Sequence, residues 1–152
     1  YENVQSYPRP PILELVPQQI VLRLGGAVVA DTSHALRVLE THHAPTYYLP
    51  KKDVFATLSP IQGRSFCEWK GVAFYFNVSA GSATAPRAAW VYHNPTGRFA
   101  ALAGYVAFYA ALMDEAWVGD LRVMPQPGNF YGGWVTPNLT GQIKGAPGTQ
   151  HW

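Results

Sequence analysis

The sequence predicts a mostly-β domain assembled from antiparallel hairpins, and three observations carry that expectation. β-Branched and aromatic residues fall in short runs bounded by Gly, Pro, Asn or Asp. Aromatic residues make up 14% of the chain and charged residues only 13%, about half the usual ~25%, a composition that argues against disorder. The length of 152 residues suits one domain, able to bury about 68–70% of its unfolded surface without a staple. The chain is therefore read as a single domain over 1–152, with a Pro-rich arm over 1–17 and a Gly/Pro-rich segment over 125–152.

The elements follow in order. Pro8, Pro10, Pro11 and Pro17 forbid a helix and favour an extended arm, which Ile12, Leu13 and Leu15 are expected to pin to the body. Residues 20–24 read as a strand, Gly25-Gly26 as a two-residue hairpin turn, and 27–30 as the returning strand. Asp31-Thr32-Ser33 offers a helix N-cap, so a short helix and a twisted strand both fit 35–41. Thr46-Tyr47-Tyr48-Leu49 is β-prone, and 52–58 reads as a short helix. Residues 66–79 give the strongest strand signal, turned by Ala80-Gly81-Ser82 and answered by a strand over 84–92. A strand over 104–110 follows. A third hairpin then places 115–118 and 121–124 around Gly119-Asp120.

Composition also excludes function classes. The net charge is +2, from 11 Lys and Arg against 9 Asp and Glu. The cations are scattered apart from Lys51-Lys52, whereas nucleic-acid binders cluster them, so no nucleic-acid partner is expected. No apolar run approaches the ~20 residues of a membrane-spanning helix, and no signal-peptide pattern is present. The expectation is a cytoplasmic protein with no membrane partner. The single cysteine, Cys67, rules out an intramolecular disulfide and a cysteine-rich zinc site. His42-His43 lacks the i, i+4 spacing of a helical metal pair. No metal and no cofactor are expected.

The candidate site residues come from charged and aromatic groups in apolar context. Alternation along 66–76 puts Cys67, Trp69, Gly71, Ala73 and Tyr75 on one face. Two large rings then flank two small residues, which leaves an aromatic-walled hollow or room for a packed neighbour. Tyr47, Tyr48, Trp90 and Trp134 are expected to join Trp69 and Tyr75 as ligand-binding rings through stacking and cation–π contacts, with core packing the alternative. Arg37 and Lys70 complete the ligand-binding set. Arg37 and Glu40 would share a helix face and pair, and Glu40 is then the candidate acid or base. Cys67 is the candidate nucleophile, or a buried structural thiol. The expected function is binding of a small polar or aromatic ligand. An enzyme using Glu40 or Cys67 and a homodimeric interaction module are the alternatives.

These segments resemble a known family. Ala30-Asp31-Thr32 with 35–41, Pro45 to Pro50, Cys67-Glu68-Trp69-Lys70-Gly71, Ala89-Trp90, 104–109 and 125–134 form an ordered series similar to the motifs of the domain of unknown function 427 family, over about Val4 to the end. The resemblance implies a β-tent (Mss4-like) fold, two antiparallel sheets packed at an angle with one or two short helices. Relatives of that fold often carry paired Cys-x-x-Cys zinc ligands, which one cysteine cannot supply. The family is sometimes labelled nucleotidyltransferase-like, yet no Asp-x-Asp metal pair occurs here.

Overall fold

The computed structural model describes residues 2–8, 11–67, 71–95, 97–126 and 132–140, with backbone only at 65–67, 98 and 140. Its strands are β1 (Glu2–Asn3), β2 (Ile12–Val16), β3 (Ile20–Leu24), β4 (Ala27–Thr32), β5 (Ala35–Leu39), β6 (Thr46–Leu49), β7 (Thr57–Cys67), β8 (Gly71–Ala80), β9 (Ala83–Tyr92) and β10 (Val106–Phe108). The chain continues through β11 (Glu115–Val118), β12 (Leu121–Arg122), β13 (Met124–Pro125), β14 (Trp134–Val135) and β15 (Leu139–Thr140). Short 3-10 turns at Val4–Ser6, Lys51–Asp53, Gly97–Leu102 and Ala110–Leu112 are the only helical segments among the described residues.

A seven-stranded antiparallel sheet in the order β2-β5-β6-β10-β9-β8-β7 packs against a four-stranded one in the order β12-β11-β3-β4. The mostly-β expectation of two packed antiparallel sheets is met. Two further two-stranded pairs, the parallel β1–β15 and the antiparallel β13–β14, complete the pairing among the described residues.

The large sheet is apolar on both faces in its middle strands. Tyr47, Leu49, Ala89, Val91, Val106 and Phe108 join one cluster with Ile20, Leu22, Val29 and Ala116 of the small sheet. The alternate residues Tyr48, Trp90, Tyr92 and Ala107 join a second cluster with Phe99 and Leu102. Period-2 alternation thus feeds two cores, one under the small sheet and one under the 97–102 turn.

Several sequence expectations change. Residues 35–39 form a strand, because β2 and β6 flank them and supply ladder partners on both sides. The helix expected over 52–58 is a single turn at 51–53. Beyond it, the amides of Phe55 and Ala56 donate to the Val29 carbonyl at 2.7 and 3.2 Å, which draws the chain along β4. The strand expected over 66–79 is two strands: β7 ends at Cys67, β8 begins at Gly71, and those two residues are register partners. Pro60 is tolerated in β7 because that strand lies at the sheet edge. The strand expected over 104–110 shortens to β10.

The arm is strand β2, and its backbone ladder to β5 anchors it. Leu13 packs against the second cluster, but Leu15 is 77% exposed and Ile12 is exposed too. Val4 and Val16 are the buried anchors instead.

The two sheets meet where their hairpin turns cross. Gly25 and Gly81 both have positive φ, 62° and 53°. A methyl on Gly81 would overlap the Gly25 carbonyl, and one on Gly25 would overlap the Ala80 carbonyl. Glycine is needed there for conformation and for approach. Gly81→Ala is expected to cost about 2 kcal/mol or more, read as a lower urea midpoint at unchanged slope. Gly26→Ala meets nothing within 4 Å at a φ of 82° and should cost less. Equal losses would show that the backbone crossing is not what constrains Gly81.

Candidate functional site: the Arg37 cavity

Arg37 sits in the middle of β5, opposite Glu14 of β2 and Tyr47 of β6. Directly opposed residues share a face, so the register alone aligns Glu14, Arg37 and Tyr47 in one row. The Arg37 Nε donates to Glu14 Oε1 at 2.8 Å, and its Nη2 lies 2.6 Å from the same oxygen. The Glu2 carboxylate closes the other side, 3.2 Å from Nη2. Tyr7 Oη donates to Glu2 Oε1 at 2.6 Å. The hydroxyl of Thr41, just beyond β5, donates to the Tyr7 carbonyl. The arm is therefore folded back onto the row.

The Arg37 side chain is only 15% exposed, while Glu2 and Glu14 are 37% and 45% exposed. Burial works against the charged guanidinium, but Tyr47, Glu14 and Glu2 outweigh it and hold the Arg37 pKa above its ordinary value. Burial raises the Glu2 carboxyl, yet the Tyr7 hydrogen bond and Arg37 pull it below its ordinary 4.5. Burial and then the Glu2 bond push the Tyr7 phenol up, and burial does the same to Tyr47.

Behind Tyr47 lies Trp134, fully buried, its ring stacked at 4.9 Å and 21°. Trp134 Nε1 donates to the Phe108 carbonyl at 3.0 Å, and its amide donates to Pro45 at 2.8 Å. Buried Gln126 completes the support by accepting from the Ala44 amide at 3.2 Å. In front of the row lies a cavity of about 260 Å³ lined by Glu2, Glu14, Arg37, Tyr47, Asp120 and Asn138 among others. One cation faces three carboxylates, which leaves the wall net negative.

The sequence-selected residues divide. Arg37 and Tyr47 line the cavity, with Trp134 behind them. Tyr48, Tyr75 and Trp90 are on the opposite face of the large sheet. There Trp90 packs on Tyr109 at 4.6 Å and meets Tyr48 edge-on at 6.3 Å. Arg87 caps the Tyr75 ring at 4.0 Å. A methyl on Gly132 would overlap the Trp90 ring, so the chain near residue 132 presses on this cluster. The described rings form two packed layers on opposite faces of the large sheet.

The Arg37–Glu40 pair does not form. On a strand, residues three apart point to opposite faces, and Arg37 is taken by Glu2 and Glu14. Glu40 follows the end of β5, and its carbonyl accepts from the His43 amide at 3.0 Å. Cys67 closes β7 opposite Gly71. Trp69 and Lys70 lie outside the described residues. No group of three His, Cys, Asp or Glu able to hold a metal ion occurs among the described residues. No helix there is long and apolar enough to cross a membrane.

Glu2, Glu14 and Tyr7 were not selected from the sequence. Glu14 carried one signal, as the lone charge in Ile12-Leu13-Glu14-Leu15-Val16. Glu2 and Tyr7 carried none.

Two packed antiparallel sheets with a polar cavity at one edge define the class of protein. The chain belongs to the family of the domain of unknown function (DUF427), whose model matches residues 12–119. That stretch is shorter than the Val4-to-end extent expected from the motifs. No curated protein matches the chain.

The Glu2–Tyr7 contact predicts a pH window. Because the folded Glu2 pKa is depressed, its contribution is complete above the ordinary 4.5 and is lost as pH falls through the folded value. Because the folded Tyr7 pKa is raised, its contribution is complete below the ordinary 10.0 and is lost as pH climbs through the folded value. Glu2→Gln should flatten the acid limb of a urea-midpoint against pH curve. Tyr7→Phe should soften the alkaline limb without abolishing it, since buried Tyr47 and Tyr109 also have raised values. An acid limb unchanged in Glu2→Gln would contradict the assignment.

Proposed function

We propose that this domain binds a small, polar, donor-rich ligand, an amine or a polyol, in the Arg37 cavity. The observation that carries the reading is a largely buried guanidinium clamped by two carboxylates in a cavity wall. A cleft lined by ionisable groups whose pKa values are shifted by burial and by specific charge partners is the physical signature of a functional site, although structural ion-pair networks shift them too. The volume of about 260 Å³ falls just below the ~300 Å³ at which pockets for drug-sized ligands begin, so the occupant is small.

The charge balance selects the chemistry. Arg37 already has two partners, so an incoming anion would meet more carboxylate than cation. Glu14, Glu2 and Asp120 accept hydrogen bonds and favour positive or hydroxyl-rich groups. Asn138 and the Tyr47 hydroxyl add further polar atoms. This differs from an aromatic-walled pocket, since Tyr47 is the only ring lining the cavity among the described residues.

A thermal-shift series tests the reading. Small amines and polyols such as ethanolamine and glycerol are expected to raise Tm in a saturable way, by mass action on the folded state. Acetate and sulfate are expected to have no saturable effect. Asp120→Asn, at an exposed position, should weaken amine binding by roughly fivefold, the size of one partly screened charge contact, while leaving the unliganded Tm unchanged. Binding of the anions but not the amines would overturn the proposal.

A further inference from the structure

At the opposite edge of the sheet pair lies a second cavity of different chemistry, about 490 Å³ in volume. Its floor is the inner face of the large sheet. Val91 and Val106 are register partners on β9 and β10, and Phe76 lies opposite Pro60 on β8 and β7. Its other wall is the segment that follows the 51–53 turn, where Val54 bridges to Ala30 of β4 and Ala56 and Leu58 face the space. The volume falls inside the ~300–1,000 Å³ range of ligand pockets.

The floor is buried at Val91 and Val106, while Lys51, Pro60, His93 and Gly104 are exposed and mark the mouth. The polar side chains at the mouth are the Lys51 ammonium and the His93 imidazole, whose ring packs on Phe74 at 5.2 Å. No carboxylate lines the cavity among the described residues. Asp53, the nearest acid in sequence to Lys51, is turned toward β4, where it accepts from the Thr32 hydroxyl at 2.7 Å.

We infer that this cleft is a binding site for an amphipathic monoanion, an apolar body carrying one carboxylate. The body replaces water along the valine, leucine and phenylalanine walls, where the gain scales with apolar area removed from solvent. The carboxylate stays at the mouth and accepts from Lys51 and from the N–H that imidazole presents in either tautomer. The site is independent of the Arg37 cavity: it shares no lining residue with it and has the opposite sign of charge.

The test is titration of the full chain with octanoate, 1-octanol and octylammonium, followed by backbone amide NMR. Octanoate is expected to move the amides of Ala56, Leu58, Val91 and Val106 saturably at millimolar concentration. Octanol should bind the same amides more weakly and octylammonium weakest. Lys51→Gln, at an exposed turn position, should weaken octanoate about fivefold and leave octanol unchanged. Ala56→Phe should fill the cleft and abolish all three responses, its amide spectrum reporting that the fold is kept. If Ala56→Phe does not fold, the Lys51→Gln comparison decides alone. Saturable shifts at Arg37 and Tyr47 in place of the cleft amides, no saturable shift for octanoate, or equal octanoate affinity in Lys51→Gln would each overturn the inference.

Discussion

The fold depends on one constraint: the middle of the large sheet must be covered on both faces. Along Tyr47–Leu49, Ala89–Tyr92 and Val106–Phe108, in the middle of β6, β9 and β10, the residues alternate between the two clusters with no polar face. An antiparallel sheet usually exposes one polar face to solvent; this one cannot. Each large apolar side chain so buried contributes roughly 1.5–3 kcal/mol, and a whole domain is stable by only about 5–15 kcal/mol. Exposing either face would therefore exceed the net stability. The four-stranded sheet covers one face. The Gly97–Leu102 turn, with Phe99 and Leu102 buried, covers the other. That is why segments with little regular structure are as integral to this fold as its strands.

The same constraint explains how a charged residue comes to sit in the interior row. Arg37 occupies an inward position on β5, whose outward neighbours Leu36 and Val38 are buried in the second cluster. Turning Arg37 outward would require a one-residue slip of register, which would send both apolar side chains to the wrong face. The guanidinium is therefore held inward by its neighbours and must be satisfied where it lies. An unpaired cation there would be costly, because removing a charge from water is expensive without a partner. Glu14 arrives through the β2 ladder, and Glu2 through the arm that β15 and Thr41 hold in place. Two carboxylates on one cation overshoot neutrality, and the excess negative charge is carried by the more exposed partners.

Legibility in the sequence followed the range of the interactions. The Gly25-Gly26, Gly81-Ser82 and Gly119-Asp120 turns were readable because turn chemistry is local, and so were the strands beside them. Residues 35–41 were ambiguous because Leu36, Leu39 and Glu40 follow the Asp31-Thr32-Ser33 cap at near-helical spacing while the run also fits a twisted strand; pairing with β2 and β6 decides, and pairing is not local. The break between Cys67 and Gly71 was missed because the alternation of side chains along 66–76 keeps a strand period straight through it. Arg37 and Tyr47 were found as polar or ring-bearing residues in apolar runs. Their carboxylate partners were not, since Glu2 lies 35 positions from Arg37 and nothing in the arm's composition foretells the contact. The described rings of the expected ligand-binding set divide for a related reason: Tyr47 and Tyr48 are adjacent, so a strand must place them on opposite faces, and no site on one face can use both.

The positions of the two cavities follow from a mismatch in width. Four strands cannot cover seven, so the inner face of the large sheet is left without strand cover at both edges. At the β2 edge the uncovered row begins with Glu14 and Arg37, and it is closed by β11–β12 turn residues such as Asp120 together with Glu2 and Asn138. Those closing groups are polar because turns and connecting segments lie at the surface. At the β7 edge the open row begins at Phe76 on β8 and runs inward to the buried Val91 and Val106, closed by Val54 and Ala56, which the bridge to Ala30 holds against them. Strand cover ends at both edges, but the row it leaves open is charged at one and apolar at the other. The difference in ligand chemistry between the two cavities is thus set by which residues of the large sheet fall beyond the reach of β4 and β12, and a change in the width of the small sheet would alter both at once.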